Sequence, residues 1–288
     1  MAHTDDRPRR AAVLGKPVAH SLSPVLHSAA YAALGLADWS YGRIEVDADE
    51  LPGLVGGLTD EWVGLSVTMP GKRAALDFAT EATTRATAVG AANTLVRTTS
   101  GWLADCTDVD GVVGAVRSAG GFAASAGTTG MVLGAGGTAA AAVVGFAELG
   151  LTAVRLVVRE PARAKDTAVA AERAGLSVQV LRWSEVDLGD LAESSAVVVS
   201  TVPPEATAPH ADALASARCL LDVIYHPWPT PLARAVAARG GHVATGLDML
   251  LHQAFGQVEL FTGLTAPRQV MRDALRAATG NILPLPLD

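Results

Sequence analysis

The feature that most constrains the fold is a glycine-rich turn, Gly134-Ala135-Gly136-Gly137-Thr138-Ala139, which follows the apolar run Met131-Val132-Leu133. It matches the pattern G-x-G-x-x-[GA] between a predicted strand and a predicted helix. Gly134 permits the tight turn, Gly136 lets the backbone approach a pyrophosphate, and Ala139 lets helix and strand pack closely. Helix N–H groups then face the anion. The turn predicts a dinucleotide-binding βαβ unit, and a glycine-rich turn without a ligand is the alternative.

Charged residues at the end of the next predicted strand bear on the choice of dinucleotide. The strand ends at Val158 and is followed by Arg159, Glu160 and Arg163. A carboxylate at this place binds the ribose 2′-hydroxyl of NAD, whereas an arginine accommodates the 2′-phosphate of NADP. Two guanidinium groups favour NADP over NAD, and surface charges at the start of a helix are the alternative. Two interpretations of Glu160 stay open: its carboxylate repels the phosphate, or it pairs with Arg163.

The order of apolar runs predicts an α/β fold with about two domains for 288 residues. In the first third, short apolar runs alternate with helical patterns that begin at Pro24 and near Leu51; the predicted strands are 11–14, 41–46 and 63–67. A second alternation predicts a doubly wound parallel sheet whose strands are buried on both faces: 131–133, 154–158, 178–181, 197–200 and 220–223. After His242 the pattern is helical to Ala278.

Composition excludes several classes of protein. Half the residues are apolar, 18% are charged and the net charge is −7, with no basic cluster beyond residues 7–10, so a small-molecule partner is expected rather than nucleic acid. Cys106 and Cys219 lie far apart, which predicts neither a disulfide framework nor a zinc site and fits the cytoplasm. No metal-ligand pattern, signal peptide or membrane segment is expected.

Three polar clusters fall at predicted strand ends or helix starts, where the loops of an α/β sheet converge. They cover residues 20–24, residues 66–72, and residues 92–94 together with 105–108. Ser21 and Ser23 lie two positions apart at a helix start, which suits a substrate carboxylate. Ser23 is also the predicted N-cap of that helix, with Pro24 at its first position.

Lysine is scarce, since only Lys16, Lys72 and Lys165 occur beside 19 arginines. Lys72 begins a predicted helix directly after a buried strand. A partly desolvated lysine can exchange a proton near neutrality and arginine cannot, so Lys72 is a candidate for proton transfer. An exposed helix lysine is the alternative. Asp108 is likewise a candidate catalytic carboxylate or simply the N-cap of a helix over 109–119.

Taken together, these motifs carry a resemblance over nearly the whole chain. They are Gly-Lys-Pro-Val-Ala-His-Ser-Leu-Ser-Pro from Gly15, Val-Thr-Met-Pro-Gly-Lys ending at Lys72, Ala-Asn-Thr-Leu from Ala92, Thr107-Asp108, Gly-Ala-Gly-Gly from Gly134, Asp-Val-Ile-Tyr ending at Tyr225, Pro-Thr-Pro-Leu from Pro229 and Gly-Leu-Asp-Met-Leu-Leu-His-Gln ending at Gln253. The sequence resembles the shikimate dehydrogenase family.

The resemblance implies a substrate-binding domain of residues 1–107 and 246–288, which faces a Rossmann-type NADP domain of residues 108–245 across a cleft. It also implies reversible NADPH-dependent reduction of 3-dehydroshikimate to shikimate, a step towards chorismate and the aromatic amino acids. Lys72 and Asp108 resemble the family's catalytic pair. The oligomeric state is left as monomer or homodimer.

Further roles follow from the resemblance, residue by residue. Ser21, Ser23 and Tyr225 resemble the residues that bind the substrate carboxylate. Those that hold the ring hydroxyls are Thr68, Asn93, Asp108 and Gln253. Residues matching the cofactor site are Gly134, Ala135, Gly136, Gly137, Thr138, Arg159, Arg163, Thr201 and Gly246.

The chain departs from the family pattern at five positions. Ser66 and Cys106 stand where asparagine is usual, and Val158 and Glu160 replace parts of an Asn-Arg-Thr run. Ala140 stands where many members have arginine, which leaves Arg159 and Arg163 to select NADP.

Two other functions stay open. One is a quinate/shikimate or aminoshikimate dehydrogenase that uses NAD; Ser23, in place of the threonine found in quinate-accepting members, favours shikimate. The other is a non-catalytic dinucleotide sensor. Retention of both Lys72 and Asp108 argues against the sensor, because a sensor needs no proton donor.

Overall fold

The computed structural model describes residues 8–122 and 128–287, which divide into two compact units. The first unit contains residues 8–87, 91–107 and 254–284, and the second contains 88–90, 108–253 and 285–287. The chain passes from the second unit back to the first between Gln253 and Ala254. Residues 246–253, which were predicted to lie in the substrate-binding domain, are therefore part of the second unit. Close packing within the second unit explains this. Gly114 lies so near His252 that a Cβ atom added to the glycine would be 2.2 Å from the His252 ring.

The first unit is built on a six-stranded mixed sheet. Its strands are β1 Arg9–Gly15, β2 Trp39–Glu45, β3 Trp62–Val67, β4 Glu81–Ala82, β5 Thr94–Thr98 and β6 Gly101–Asp105. Their order is β2-β1-β3-β5-β6-β4. The helices are α1 Ser23–Ala33, α2 Leu51–Gly56, α3 Lys72–Phe78, α4 Thr84–Val89, whose last two residues belong to the second unit, and α13 Arg268–Ala278.

Strand direction brings the polar clusters of this unit to one edge of its sheet. β1 runs parallel to β2 and β3, whereas β5 runs antiparallel to both β3 and β6. Thr94, at the start of β5, is therefore paired with Ser66 near the end of β3 and with Asp105 at the end of β6. The β5–β6 hairpin and the short strand β4 were not predicted, because their residues show no continuous apolar run.

Apolar side chains cover both faces of this sheet. One face packs Leu14, Leu65, Leu95 and Trp102 against α2 and α3, and all four are buried. The other packs Tyr31, Tyr41 and Phe261. A closely packed core on both faces holds the polar residues at the strand ends in place.

The second unit contains a six-stranded sheet that is parallel throughout. Its strands are β7 Thr129–Leu133, β8 Ala153–Val158, β9 Ser177–Arg182, β10 Val197–Ser200, β11 Cys219–Asp222 and β12 His242–Thr245. Their order is β12-β11-β10-β7-β8-β9, which is the doubly wound arrangement of dinucleotide-binding folds. The helices are α5 Asp108–Ser118, α6 Gly137–Glu148, α7 Lys165–Arg173, α8 Leu188–Glu193, α9 Pro204–Thr207, α10 Ala211–Leu214, α11 Pro231–Ala238 and the first half of α12 Gly246–Thr262.

The predicted α/β class is confirmed, with two corrections. Residues 242–245 form the edge strand β12 and not the start of a helix, because four residues are too few to show a period. Strand β9, predicted to be buried on both faces, is the opposite edge, and Ser177, Gln179 and Val180 are exposed. No helix within the described ranges is long and apolar enough to cross a membrane.

Candidate functional site

Backbone hydrogen bonds join the loops that follow β1 and β3. The N–H of Thr68 donates to the carbonyl of Leu14 at 2.8 Å, and the N–H of Lys16 donates to the carbonyl of Met69 at 3.0 Å. The loop that leads from β1 to Ser21 is thereby fixed beside the turn that carries Thr68.

Lys72 is the first residue of α3, immediately after that turn, and its side chain is half-buried. Its carbonyl accepts the N–H of Ala92 at 2.9 Å, and the carbonyl of Asn93 accepts the N–H of Val67 at 2.7 Å. The segments that carry Lys72 and Asn93 are therefore held together at the edge of the sheet.

Ser21 and Ser23 lie at the start of α1, but capping differs from the prediction. The helix begins at Ser23, its N-cap is Leu22, and no side chain caps it, so the predicted N-cap role of Ser23 is wrong. The N–H of Ser23 donates to Oγ of Ser21 at 3.3 Å, and Arg43 donates to the Ser21 carbonyl at 2.6 Å. The buried hydroxyl of Ser23 does not cap the helix and hydrogen-bonds with Tyr41 instead.

Asn93 is 3% exposed and its amide has a fixed orientation. Oδ1 accepts the N–H of Thr107 at 2.7 Å and the hydroxyl of Thr94 at 2.8 Å, while Nδ2 donates to Oγ1 of Thr107 at 3.0 Å. A backbone N–H can only donate, so the group facing it must be the amide oxygen. The structure thus holds Asn93 in one defined rotamer.

The centre of this network is Gln257, which the sequence reasoning missed. Its Nε2 donates to Oγ1 of Thr94 at 2.9 Å and to the Asn93 carbonyl at 3.2 Å. Its Oε1 accepts the Ser66 hydroxyl at 2.7 Å and lies 3.3 Å from Nε2 of His27. All four hydrogen-bonding positions of the amide are occupied. The only sequence signal was its place one helical turn after Gln253.

Ser66 makes two hydrogen bonds within this network. It donates to Gln257 and accepts the hydroxyl of Tyr41 at 2.6 Å. Burial raises the pKa of Tyr41, and the hydroxyl groups of Ser66 and Ser23 oppose this rise. Ser66, which stands where the resemblance implies an asparagine, is therefore engaged with protein partners.

His27 is fully buried and stacks on Tyr41, with ring centroids 4.0 Å apart and an interplanar angle of 12°. Burial lowers the pKa of His27 to about 3, against the opposing hydrogen bond with Gln257. The ring is therefore neutral near pH 7. Its Nδ1 atom is buried and has no hydrogen-bond partner among the described residues.

Asp105 anchors the loop that leads to Thr107 and Asp108. Nε of Arg85 donates to its Oδ1 at 2.7 Å, and the hydroxyl of Thr83 donates to the same oxygen at 2.6 Å. Burial raises the pKa of Asp105, but these hydrogen bonds and the Arg85 charge outweigh it and hold the pKa below its usual value. The carboxylate is a structural anion at neutral pH.

The remaining predicted substrate residues belong to the second unit. Asp108 is buried and is the first residue of α5, one position earlier than predicted. Gln253 is buried on α12, with Nε2 donating to the Leu250 carbonyl at 2.9 Å. Tyr225 is 37% exposed and follows β11.

A pocket of about 930 Å³ lies at the carboxyl ends of β7 and β10, where the strand order of the second unit reverses. Six predicted cofactor residues line it: Gly134, Ala135, Gly136, Arg159, Arg163 and Thr201. The other three do not line it; Gly137 and Thr138 begin α6, and Gly246 begins α12.

Two glycines of the turn have distinct reasons to be glycine. Gly134 has φ of +105°, and an ideal Cβ there would lie 2.5 Å from Oγ1 of Thr201. Thr201 itself donates to the carbonyl of Leu133 at 2.9 Å, which fixes it against the turn. At Gly136, by contrast, a Cβ would meet nothing within 4 Å, so the backbone is open to a ligand.

The carboxylate of Glu160 forms no ion pair with the side chain of Arg159 or Arg163, as far as the described residues show. Its carboxylate lies 3.7 Å from Nη2 of Arg182, whereas Arg163 reaches the Glu160 carbonyl through its backbone N–H at 3.0 Å. The interpretation that Glu160 pairs with Arg163 is therefore wrong. Among the described residues, the exposed guanidinium groups of Arg159 and Arg163 have no ion pair.

These features fit a phosphorylated dinucleotide. Gly136 is the N-cap of α6 and offers no capping side chain, so the first N–H groups of the helix are available to a pyrophosphate. The guanidinium groups of Arg159 and Arg163 line the pocket without an ion pair to any described residue, and such groups suit the charge of a 2′-phosphate.

Two family models match the chain. The shikimate dehydrogenase substrate binding domain matches residues 13–95, and the shikimate 5′-dehydrogenase C-terminal domain matches residues 246–276. A relative from Synechococcus sp. (strain JA-3-3Ab), shikimate dehydrogenase (NADP(+)), is 36% identical over 94% of this chain and 94% of its own length.

Solved structures show the same similarity. The crystal structure of Mycobacterium tuberculosis shikimate dehydrogenase is 55% identical, with a TM-score of 0.88 over 94% of this chain and 100% of that one. Shikimate 5-dehydrogenase from Listeria monocytogenes in complex with shikimate and NAD is 26% identical, with a TM-score of 0.84 over 93% and 96% of the two chains.

Proposed function

The chain belongs to the shikimate dehydrogenase family, and we propose that Lys72 and Asp108 are the residues with which it interconverts 3-dehydroshikimate and shikimate. It is an oxidoreductase of the shikimate pathway, and its cofactor is NADP. One observation carries the proposal: backbone hydrogen bonds hold the segments of Lys72 and Asn93 together at one end of the sheet.

NADPH, held when bound by the residues that line the second-unit pocket, would supply the hydride that reduces the substrate carbonyl. Negative charge then develops on the carbonyl oxygen, and an ammonium group beside that oxygen stabilises the charge and donates the proton. We assign this role to Lys72. In the reverse direction the same nitrogen accepts the hydroxyl proton.

Asp108 is proposed to accept a hydrogen bond from a ring hydroxyl and so to orient the substrate. Thr68, Asn93 and Gln253 would hold ring hydroxyls as well. The fixed amide of Asn93 supports this role, because a binding group that is already ordered loses little entropy when the substrate arrives.

Ser21, Ser23 and Tyr225 are proposed to bind the substrate carboxylate. The absence of a capping role for Ser23 supports this assignment, since its hydroxyl is not committed to the helix start. For the cofactor, the open backbone at Gly136 would receive the pyrophosphate, and Arg159 and Arg163 the 2′-phosphate. Location in the cytoplasm and a monomeric or homodimeric state stay predictions.

Initial rates with shikimate and with quinate, each with NADP⁺ and with NAD⁺, test the proposed function. We expect the highest kcat/KM for shikimate with NADP⁺. A higher kcat/KM for quinate, or for either acid with NAD⁺, would support the quinate/shikimate alternative. Tight dinucleotide binding without turnover of either acid would support the sensor.

A further inference from the structure

We propose that Arg182, at the end of edge strand β9, makes the site selective for NADP by neutralising the carboxylate of Glu160 beside the 2′-phosphate position. The inference rests on the proposed cofactor site and adds a positioning residue that the glycine-rich motif and its flanking arginines do not contain.

The parallel pairing of β8 and β9 places Arg182 beside this site. Arg182 is the register partner of Val158, the last residue of β8, and the loop with Arg159 and Glu160 follows directly. Nη1 of Arg182 donates to the carbonyl of Arg159 at 3.4 Å, and Nη2 lies 3.7 Å from Oε1 of Glu160. One guanidinium group therefore contacts both residues of the loop.

Glu160 is the residue that would otherwise oppose NADP. It lines the pocket together with Arg159 and Arg163, and a carboxylate in this loop is typical of sites that bind the ribose 2′-hydroxyl of NAD. A phosphate monoester carries about −1.5 to −2 charge at pH 7, so an uncompensated carboxylate next to it is repulsive. The positive charge of Arg182 beside this carboxylate offsets part of that repulsion.

Arg182 also has a second carboxylate partner, which provides a control. Its Nε lies 3.1 Å from Oε1 of Glu185, and Glu185 does not line the pocket. The side chains of Arg182 and Glu160 are 39% and 55% exposed, so solvent screens their interaction and the effect on affinity is modest.

A double-mutant cycle on the full chain tests the proposal by isothermal titration calorimetry, without turnover. The four proteins are wild type, Arg182→Gln, Glu160→Gln and the double variant, each titrated with NADP⁺ and NAD⁺. We expect Arg182→Gln to raise the Kd for NADP⁺ by about three- to tenfold and the Kd for NAD⁺ by less than about twofold. In the Glu160→Gln background, the same substitution should leave the Kd for NADP⁺ unchanged.

Three results would overturn the proposal. A loss that persists in the Glu160→Gln background means that Arg182 contacts the phosphate directly. An unchanged Kd for Arg182→Gln means that Glu160 needs no neutralisation. An equal loss of NADP⁺ affinity in the control Glu185→Gln means that any change of charge at the end of β9 weakens binding, whether or not Glu160 is involved.

The same titrations separate this inference from the proposed function. Wild-type protein that binds NADP⁺ no better than NAD⁺ would contradict the cofactor assignment itself, and with it the role of Arg182. Wild-type preference for NADP⁺ without coupling between Arg182 and Glu160 would overturn only the inference.

Discussion

Oε1 of Gln257 accepts a 2.7 Å hydrogen bond from the hydroxyl of Ser66, and this contact links α12 to the central strand β3. Gln257→Leu would leave Ser66, Thr94 and the Asn93 carbonyl without that partner in a buried place. An unsatisfied buried polar group costs about 1–3 kcal/mol, so we expect the free energy of unfolding to fall by about 2–4 kcal/mol. Urea denaturation measures the change. Stability equal to wild type would mean that the network contributes nothing to the fold.

Burial of His27 should make the free energy of unfolding depend on pH. Its folded pKa of about 3 lies below the value of 6.5 expected for the unfolded chain. The unfolded state therefore binds more protons between these values, and stability falls as pH decreases from 6.5 towards 3, by at most about 1.4 kcal/mol per pH unit. His27→Phe keeps a ring against Tyr41 and should lose this slope between pH 4.5 and 6.5. An identical slope in both proteins would assign the pH dependence to other groups.

The proposed role of Ser23 in binding the carboxylate leads us to expect that this residue influences the preference for shikimate over quinate. The added methyl group of Ser23→Thr should displace the carboxylate site and lower kcat/KM for shikimate relative to quinate. One methyl group in a pocket is worth about 1–3 kcal/mol, so the ratio should shift by about ten- to two-hundredfold. Measuring kcat/KM for both acids, with the melting temperature as a check on folding, gives the answer. An unaltered ratio would remove Ser23 from the substrate site.

Asp108→Asn should damage both kcat and KM. The substitution keeps the size of the side chain but removes the negative charge that is proposed to orient a ring hydroxyl of the substrate. Asp110→Asn, in the same first turn of α5, is the matched control and should change neither constant much. Kinetics of Asp108→Asn equal to wild type would contradict the assignment.

The elements that could be predicted are those with a strong local pattern. The run Met131-Val132-Leu133 with its glycine-rich turn predicts β7 and the start of α6, because apolar periodicity and turn chemistry are both local. The position of the candidate residues at strand ends could be predicted too, because the carboxyl ends of parallel strands lie at the same end of a sheet.

What could not be predicted depends on partners that are distant in sequence. Gln257 contacts Asn93 across 164 positions, and nothing local marks either residue for the other. Arg163 is closer to Glu160 in sequence than Arg182 is, but within the 3-10 helix Pro161–Ala164 it contacts Glu160 through its backbone N–H. Strand pairing places Arg182 beside the Glu160 carboxylate instead. Ser23 was predicted to cap a helix that in fact includes it.

The most direct test of the account is the effect of Lys72→Ala on catalysis and on substrate binding, measured separately. If Lys72 transfers the proton, kcat should fall by at least about a hundredfold, while the Kd for shikimate measured by calorimetry changes far less. Lys165→Ala is the matched control, since Lys165 also begins a helix, and it should keep wild-type kinetics. A Lys72→Ala protein with wild-type kcat and a raised KM would contradict the account, because Lys72 would then only bind substrate.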